Sequence, residues 1–132
     1  MRRIIMTALI AVSLTGILAG SATALKSGGT GSIALKSDSQ LRLGGMVGFT
    51  TNAAGLAGWQ YPMVAVWCYQ STTLVYMDLQ KPSYEFKLGA DSSLWVRNGG
   101  PASCTAYLYA YGWRHGQESI QTLASTSFDA AG

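Results

Sequence analysis

Few residues in this chain combine the types and spacing that enzymatic chemistry requires. A nucleophilic Ser, Thr or Cys needs a neighbouring base, and His115 is the only histidine. It lies between Arg114 and Gly116, in a segment whose glycines are typical of a turn that joins two strands. We therefore interpret His115 as a solvent-exposed turn residue, and we predict no catalytic residue and no enzymatic activity.

Carboxylates and potential metal ligands are scattered along the chain. Two converging carboxylates would suit glycoside hydrolysis, but the spacing of the acidic residues does not indicate such a pair. One histidine with separated methionines makes no recognisable metal-ligand set. We predict neither a metal site nor a cofactor. The residues concerned are the carboxylates Asp78, Glu85, Asp91 and Glu118 and the methionines Met46, Met63 and Met77.

The N-terminal segment has the pattern of a signal peptide. Arg2 and Arg3 precede an uncharged apolar run over residues 4–19, and small residues follow at 20–24. We predict cleavage after Ala24, so that a secreted chain begins at Leu25. The competing interpretation is a retained membrane anchor, because the uncharged stretch approaches the length that crosses a bilayer. With cleavage, the membrane is a partner only during export.

Cys68 and Cys104 are the only cysteines. An even number of cysteines in an exported chain indicates a disulfide, whereas a redox or metal-binding pair would use a C-x-x-C spacing that is absent here. We predict a bond between them. Closing a loop of this length stabilises the fold by about 4 kcal/mol in the chain-entropy account of cross-links.

The charge of the chain excludes one class of partner. After removal of residues 1–24, seven Lys and Arg side chains remain against six carboxylates, and the cations are spread singly. A nucleic-acid binder carries a basic patch or stripe, so nucleic acid is excluded as the main partner. The remaining length suits a single domain. We predict a Gly/Ser-rich flexible lead over residues 25–31 and one domain over residues 32–132.

The domain is divided into short β-type runs by turn residues about every ten positions, and no stretch keeps helical periodicity for three turns. Seven or eight strands of this length predict an all-β, antiparallel, immunoglobulin-like or fibronectin-like sandwich, with a small barrel as the alternative. In immunoglobulin numbering, Cys68 lies on the third strand and Cys104 on the sixth, which are neighbours in one sheet. The predicted runs cover residues 32–36, 46–51, 62–70, 73–79, 84–88, 94–97, 103–113 and 119–128.

Three segments carry a resemblance to a known group of proteins. Residues 66–70 (VWCYQ), 99–109 (GGPASCTAYLY) and 123–128 (LASTSF) resemble uncharacterised secreted proteins of actinobacteria and their phages. The resemblance covers roughly residues 61–128. It implies an immunoglobulin-like sandwich with one disulfide, and it implies no activity.

Residue size alternates with period two from Cys104 to Trp113, so one face of this strand is small or aliphatic and the other is largely aromatic. If Cys68 and Cys104 face each other across an antiparallel pair, residues 67, 65, 63, 61 and 59 oppose residues 105, 107, 109, 111 and 113. This register gathers rings on one face of the sheet. We define the candidate aromatic ridge as Trp59, Tyr61, Tyr109, Tyr111 and Trp113.

Two orientations of this sheet compete. If the disulfide is buried with Val64 and Val66, the ridge faces solvent and marks a binding surface. If the rings fill the core, the ridge is ordinary packing. We expect the first, and we predict a secreted, noncatalytic binding module for a cell-wall glycan or another extracellular protein. The alternatives are a small secreted hydrolase and a protease inhibitor that uses a loop within residues 52–61.

Overall fold

The computed structural model describes residues 22–23 and 29–132. Within these residues the chain forms eight strands and one short helix. In chain order they are β1 (Ala22–Thr23), β2 (Thr30–Leu35), β3 (Met46–Ala54), β4 (Gln60–Gln70), β5 (Thr73–Gln80), β6 (Glu85–Lys87), α1 (Ser93–Asn98), β7 (Ala102–Arg114) and β8 (Gln117–Ala130).

The strands form two antiparallel sheets. One contains three strands in the order β2-β3-β6, and the other contains four long strands in the order β8-β7-β4-β5, with the two-residue β1 at the edge of β8. The predicted all-β sandwich is confirmed. So is the immunoglobulin-like layout, because β4 and β7, the third and sixth strands counted from β2, are neighbours in one sheet.

Apolar side chains from both sheets form one core. Val64, Val66 and Leu108 of the larger sheet are fully buried, and so are Val47 and Phe86 of the smaller one. Their burial follows from the alternation of apolar and polar residues along each strand, which directs one set of side chains inward. The Phe49 ring lies 6.1 Å from the Phe128 ring, measured between centroids, and so links the two sheets.

The strand predicted over residues 94–97 is wrong, because this segment is the helix α1. The Ser92 side chain caps its first turn by accepting a hydrogen bond from the Trp95 backbone N–H at 3.2 Å. Gly99 ends the helix at a positive φ of 62°, a conformation that glycine adopts without steric cost. Trp95 is fully buried, and its indole N–H donates to the Gly100 carbonyl at 3.1 Å. A run of only three apolar residues between two such caps suits a helical turn as well as a strand.

The predicted signal peptide, its cleavage after Ala24 and the lead lie largely outside the described residues. The backbone of residues 22–23 pairs with β8 at Ser125 and Ala124. β2 begins at Thr30, two residues before the predicted first strand. Over the described ranges, no helix has the length and apolar character needed to cross a membrane.

Candidate aromatic binding surface

The disulfide determines which face of the larger sheet is buried. Cys68 and Cys104 are bonded, as predicted, and lie directly opposite each other with their Cα atoms 4.0 Å apart. Their side chains are buried together with Val64, Val66 and Leu108. Because side chains alternate between the faces of a strand, the odd-numbered residues of β4 and β7 lie on the outer face. Of the two predicted orientations, the structure has the one in which the disulfide is buried.

The pairing of β4 with β7 follows the predicted register. Tyr61 lies opposite Tyr111, and Met63 lies opposite Tyr109. The ladder ends at the pair Gln60 and Gly112, so Trp59 lies just beyond it and does not form a ladder pair with Trp113. Trp59 packs instead on Gly112, where its carbonyl oxygen and indole ring occupy the space that any side chain at position 112 would need.

The ridge residues differ in exposure. Trp113 is 59% exposed and Tyr61 is 37% exposed, whereas Trp59, Tyr109 and Tyr111 are half-buried. Met63 is buried although it lies on the outer face, because large rings surround it on the neighbouring strand. Tyr61, Tyr109, Tyr111 and Trp113 therefore face solvent on the outer face, and Trp113 is the most accessible of them. Trp59 does not join this row, because it packs on the side of β7 to which a side chain at position 112 would point.

Tyrosine rings on the outer face form two pairs of different geometry. The centroids of Tyr61 and Tyr111 are 5.4 Å apart, and the rings meet edge to face. Tyr107 and Tyr109 stack with their planes nearly parallel and their centroids 5.8 Å apart. Burial raises the pKa of the Tyr109 hydroxyl, the neighbouring Tyr107 adds to the rise, and the Trp67 indole partly offsets it. Tyr109 thus belongs to the packed centre of the outer face.

Charged groups lie at the end of the ridge next to the β7–β8 hairpin. Lys81 Nζ lies 5.6 Å from the centre of the Tyr61 ring, and the Arg114 guanidinium lies 5.6 Å from the centre of a Trp59 ring. Both arrangements are cation–π contacts. We call this end of the larger sheet the hairpin end. Its outer face carries Tyr61, Tyr111, Trp113 and Glu118, with Lys81 over the Tyr61 ring. Trp59 and Arg114 lie on the opposite side of β7, next to Gly112.

Glu118 is held in place at the hairpin end by a tyrosine. The Tyr111 hydroxyl donates a hydrogen bond to Glu118 Oε2 at 2.7 Å. This bond raises the pKa of the Tyr111 hydroxyl, and partial burial and the carboxylate charge add to the rise. The second carboxylate oxygen of Glu118 makes no hydrogen bond among the described residues, so it is free to accept one from a ligand.

The hairpin turn itself contains His115. This residue has a positive φ of 53° and is followed by Gly116 at 72°, so the two residues form a tight turn between Arg114 and Gln117. His115 is exposed, as predicted. Together with Trp59, Arg114, Gln117, Glu118 and Ser119, it lines an open cleft at the edge of the ridge.

Chemical groups suited to catalysis are not gathered at this surface. Across residues 29–132, no charged side chain is buried, and no three His, Cys, Asp or Glu side chains form a group that could hold a metal ion. Glu118 is the one carboxylate among the described residues that line the cleft beside Trp59. The chemistry available here is ring stacking, hydrogen bonding and charge attraction.

Sequence reasoning missed part of the outer face. Met77 and Leu79 of β5 are 49% and 40% exposed, and Ile120 of β8, opposite Tyr111, is 51% exposed. Met77 pairs with Trp67 and Leu79 with Ala65, so the same alternation that predicts the ridge would have assigned the β5 residues to this face. Ile120 was harder to assign, because β8 contains a bulge between its two halves.

No protein-family description, curated protein or solved structure matches this chain. The function therefore has to be inferred from the surface itself.

Proposed function

We propose that this protein is a secreted, noncatalytic binding module that holds a cell-envelope glycan against the outer face of its larger sheet. The observation that carries the proposal is the group of solvent-facing rings at the hairpin end, where Trp113 is 59% exposed on a strand whose opposite face is buried. Exposed apolar patches of this kind mark interaction sites. Aromatic rings bind flat apolar surfaces such as the C–H faces of sugar rings, and tyrosine hydroxyls add polar contacts.

The polar groups around the rings also suit a carbohydrate. A sugar presents hydroxyl groups at the edge of its ring, and these groups need donors and acceptors once the ring is stacked. The free oxygen of Glu118 supplies an acceptor beside Tyr111, and Lys81 supplies donors beside Tyr61. The alternation of rings and polar groups at the hairpin end is therefore what a stacked sugar requires.

The two alternative functions receive less support from the described residues. A hydrolase that uses paired carboxylates needs two of them flanking the bond to be cleaved, and Glu118 has no second carboxylate beside it in the cleft. A protease inhibitor needs a rigid exposed loop, and strands β3 and β4 leave only residues 55–59 between them. Gln60 folds back on this loop through its backbone N–H to Ala57 and its side chain to the Ala57 N–H, both at 2.9 Å.

A retention assay on insoluble cell-wall fractions tests the proposal. Trp113→Ala removes the most exposed ring and should weaken retention about tenfold, the equivalent of about 1.4 kcal/mol. Val96→Ala is the matched control, because Val96 is 66% exposed but lies on α1, outside the outer face of the larger sheet. Retention of the control should equal that of wild type. Equal retention of wild type and Trp113→Ala, with both proteins folded by circular dichroism, would overturn the proposal.

A further inference from the structure

The outer face of the larger sheet is uncharged along its middle and carries one charge of each sign near the hairpin end. Lys81 Nζ lies 5.6 Å from the centre of the Tyr61 ring, and Glu118 Oε2 accepts the Tyr111 hydroxyl proton at 2.7 Å. Tyr61 and Tyr111 are direct partners on β4 and β7. The ammonium and the carboxylate therefore reach the same row of the sheet, one on the β5 side and the other on the β8 side.

Neither of these two charges has a partner of opposite sign among the described residues. Lys81 and Glu118 are both exposed, and the structure gives them only the ring contact and the hydrogen bond to tyrosine within the described ranges. Two strands and the paired rings of Tyr61 and Tyr111 lie between them. Charge pairing on this face therefore requires a partner that offers a carboxylate to Lys81 and a cation to Glu118.

A second copy of the same sheet meets both requirements. A two-fold axis that runs along the strands between β4 and β7 exchanges the two sides of the sheet, so β5 of one copy lies over β8 of the other. Lys81 of each copy then lies over Glu118 of the other copy, because both charged groups reach the same row. A two-fold contact uses the same patch on both copies, so it forms two charge pairs at once.

Side-chain size is complementary about the same axis. The outward residues of β5 are large, and Met77 and Leu79 are 49% and 40% exposed. In the same two rows of the sheet, the outward residues of β8 are the small Ser127 and Ser125. The large side chains of each copy therefore face small ones of the other, as interdigitation of two packed sheets requires.

The area of the outer face also suits a stable contact. β4 and β7 pair over residues 60–69, and four strands of this length cover roughly 600 Å² in the plane of a sheet. Side chains that stand above the plane add to this area, which approaches the ~800 Å² per partner of a standard interface. A further charge on this face, Asp129, lies at the far corner of β8, where two aligned and twisted sheets diverge.

We infer that two copies of this protein associate face to face through the outer faces of their larger sheets, related by a two-fold axis along the strands. The inference goes beyond the proposed function and does not rest on it. Because the same face carries the rings assigned to the glycan, a bound glycan and a second copy exclude each other.

Charge reversal tests the inference, with the dimer dissociation constant measured by sedimentation velocity over a range of protein concentrations. Lys81→Glu places two carboxylates opposite each other, and Glu118→Lys places two ammonium groups opposite each other. Each single variant should therefore dimerise at least about tenfold more weakly than wild type. An equimolar mixture of the two single variants restores both opposite-charge pairs, as does the double variant, so both should recover association. Lys87→Glu on β6 is the matched control, because it reverses an exposed cation on the other sheet.

Weaker association of both single variants, with recovery in the mixture and in the double variant, supports the inference. Wild type that stays monomeric at about 100 μM overturns it. A dimer that both single variants keep lies on another face, and single variants that lose the dimer without recovery exclude the two-fold pairing, so each result overturns the inference. Equal weakening by Lys87→Glu and Lys81→Glu assigns the association to general charge and does the same. Circular dichroism checks that every variant is folded. None of these measurements uses a glycan, so glycan retention by a monomeric wild type leaves the proposed function standing.

Discussion

Cys68 and Cys104 face each other on β4 and β7, the two central strands of the four long ones in the larger sheet, with their Cα atoms 4.0 Å apart. This pair sits at the start of β7 and near the end of β4, and every pair further along the ladder follows in the same register. The covalent link therefore fixes the two strands that carry the rings. It is also buried, so it holds the aromatic residues on the outer face.

Removing this bond should destabilise the domain strongly. In the double variant Cys68→Ala and Cys104→Ala, the unfolded chain regains the freedom of a loop with a sequence separation of 36 residues, and we expect a loss of 2 to 5 kcal/mol, about the range for small secreted domains. Urea unfolding followed by tryptophan fluorescence measures it. A loss below about 1 kcal/mol would show that the core holds the sheet together without the bond.

The register of β4 and β7 could be predicted because two independent signals agreed. The cysteine pair fixed the alignment, and the alternation of size from Cys104 to Trp113 assigned the faces. The position of Trp59 could not be predicted, because it depends on where the ladder ends and on the missing side chain of Gly112. The positions of Lys81, directly after β5, and of Glu118, on β8, depend on strands that have no cysteine to fix their register. The bulge in β8, between Ala124 and Thr122, shifts the pairing of Glu118 with β7 by one residue.

The helix α1 depends on Ser92. Its hydroxyl oxygen accepts from the Trp95 N–H, and its hydroxyl group donates to the Val75 carbonyl of β5. Ser92→Ala should cost about 1 kcal/mol, as other lost N-caps do. Ser93→Ala is the control, because Ser93 is exposed and makes no such bond among the described residues. Thermal unfolding of both variants measures this loss, and a melting temperature of Ser92→Ala equal to that of Ser93→Ala would contradict the capping role of Ser92.

Tyr76 should make the fold sensitive to alkali. Burial raises the pKa of its hydroxyl above the ordinary value of about 10, and the charges of Asp78 and Asp91 add to the rise. The native state therefore holds the proton more tightly than the unfolded state. The free energy of unfolding is then constant below about pH 10 and falls as the pH rises above it.

Tyr76→Phe tests this sensitivity. The Tyr76 hydroxyl is buried without a hydrogen bond of normal geometry among the described residues, so its removal should stabilise the protein at pH 7 by about 1 kcal/mol or leave it unchanged. The variant should also lose less stability than wild type between pH 9 and pH 11, a range set by the ordinary tyrosine value. Urea unfolding at each pH measures both. An identical alkaline loss in both proteins would assign it to other groups.

Gly112 determines where Trp59 lies, and through it the shape of the hairpin end. A methyl group at position 112 would collide with the Trp59 carbonyl oxygen and approach its indole Cε3 to 2.9 Å. Gly112→Ala should therefore displace Trp59 from Arg114 and cost about 1 to 3 kcal/mol as overpacking does. Glycan retention should be kept, because Trp113 and Tyr111 lie on the opposite face of β7. Gly58→Ala, one residue from Trp59, is the matched control, because its methyl group would meet nothing within 4 Å. We expect that control to change stability by less than about 0.5 kcal/mol and to retain glycan as wild type does.

Tryptophan fluorescence and the cell-wall assay together check the prediction. Wild-type fluorescence in Gly112→Ala would mean that Trp59 does not pack on this glycine, whereas loss of retention in the folded variant would mean that Trp59 contributes to glycan binding.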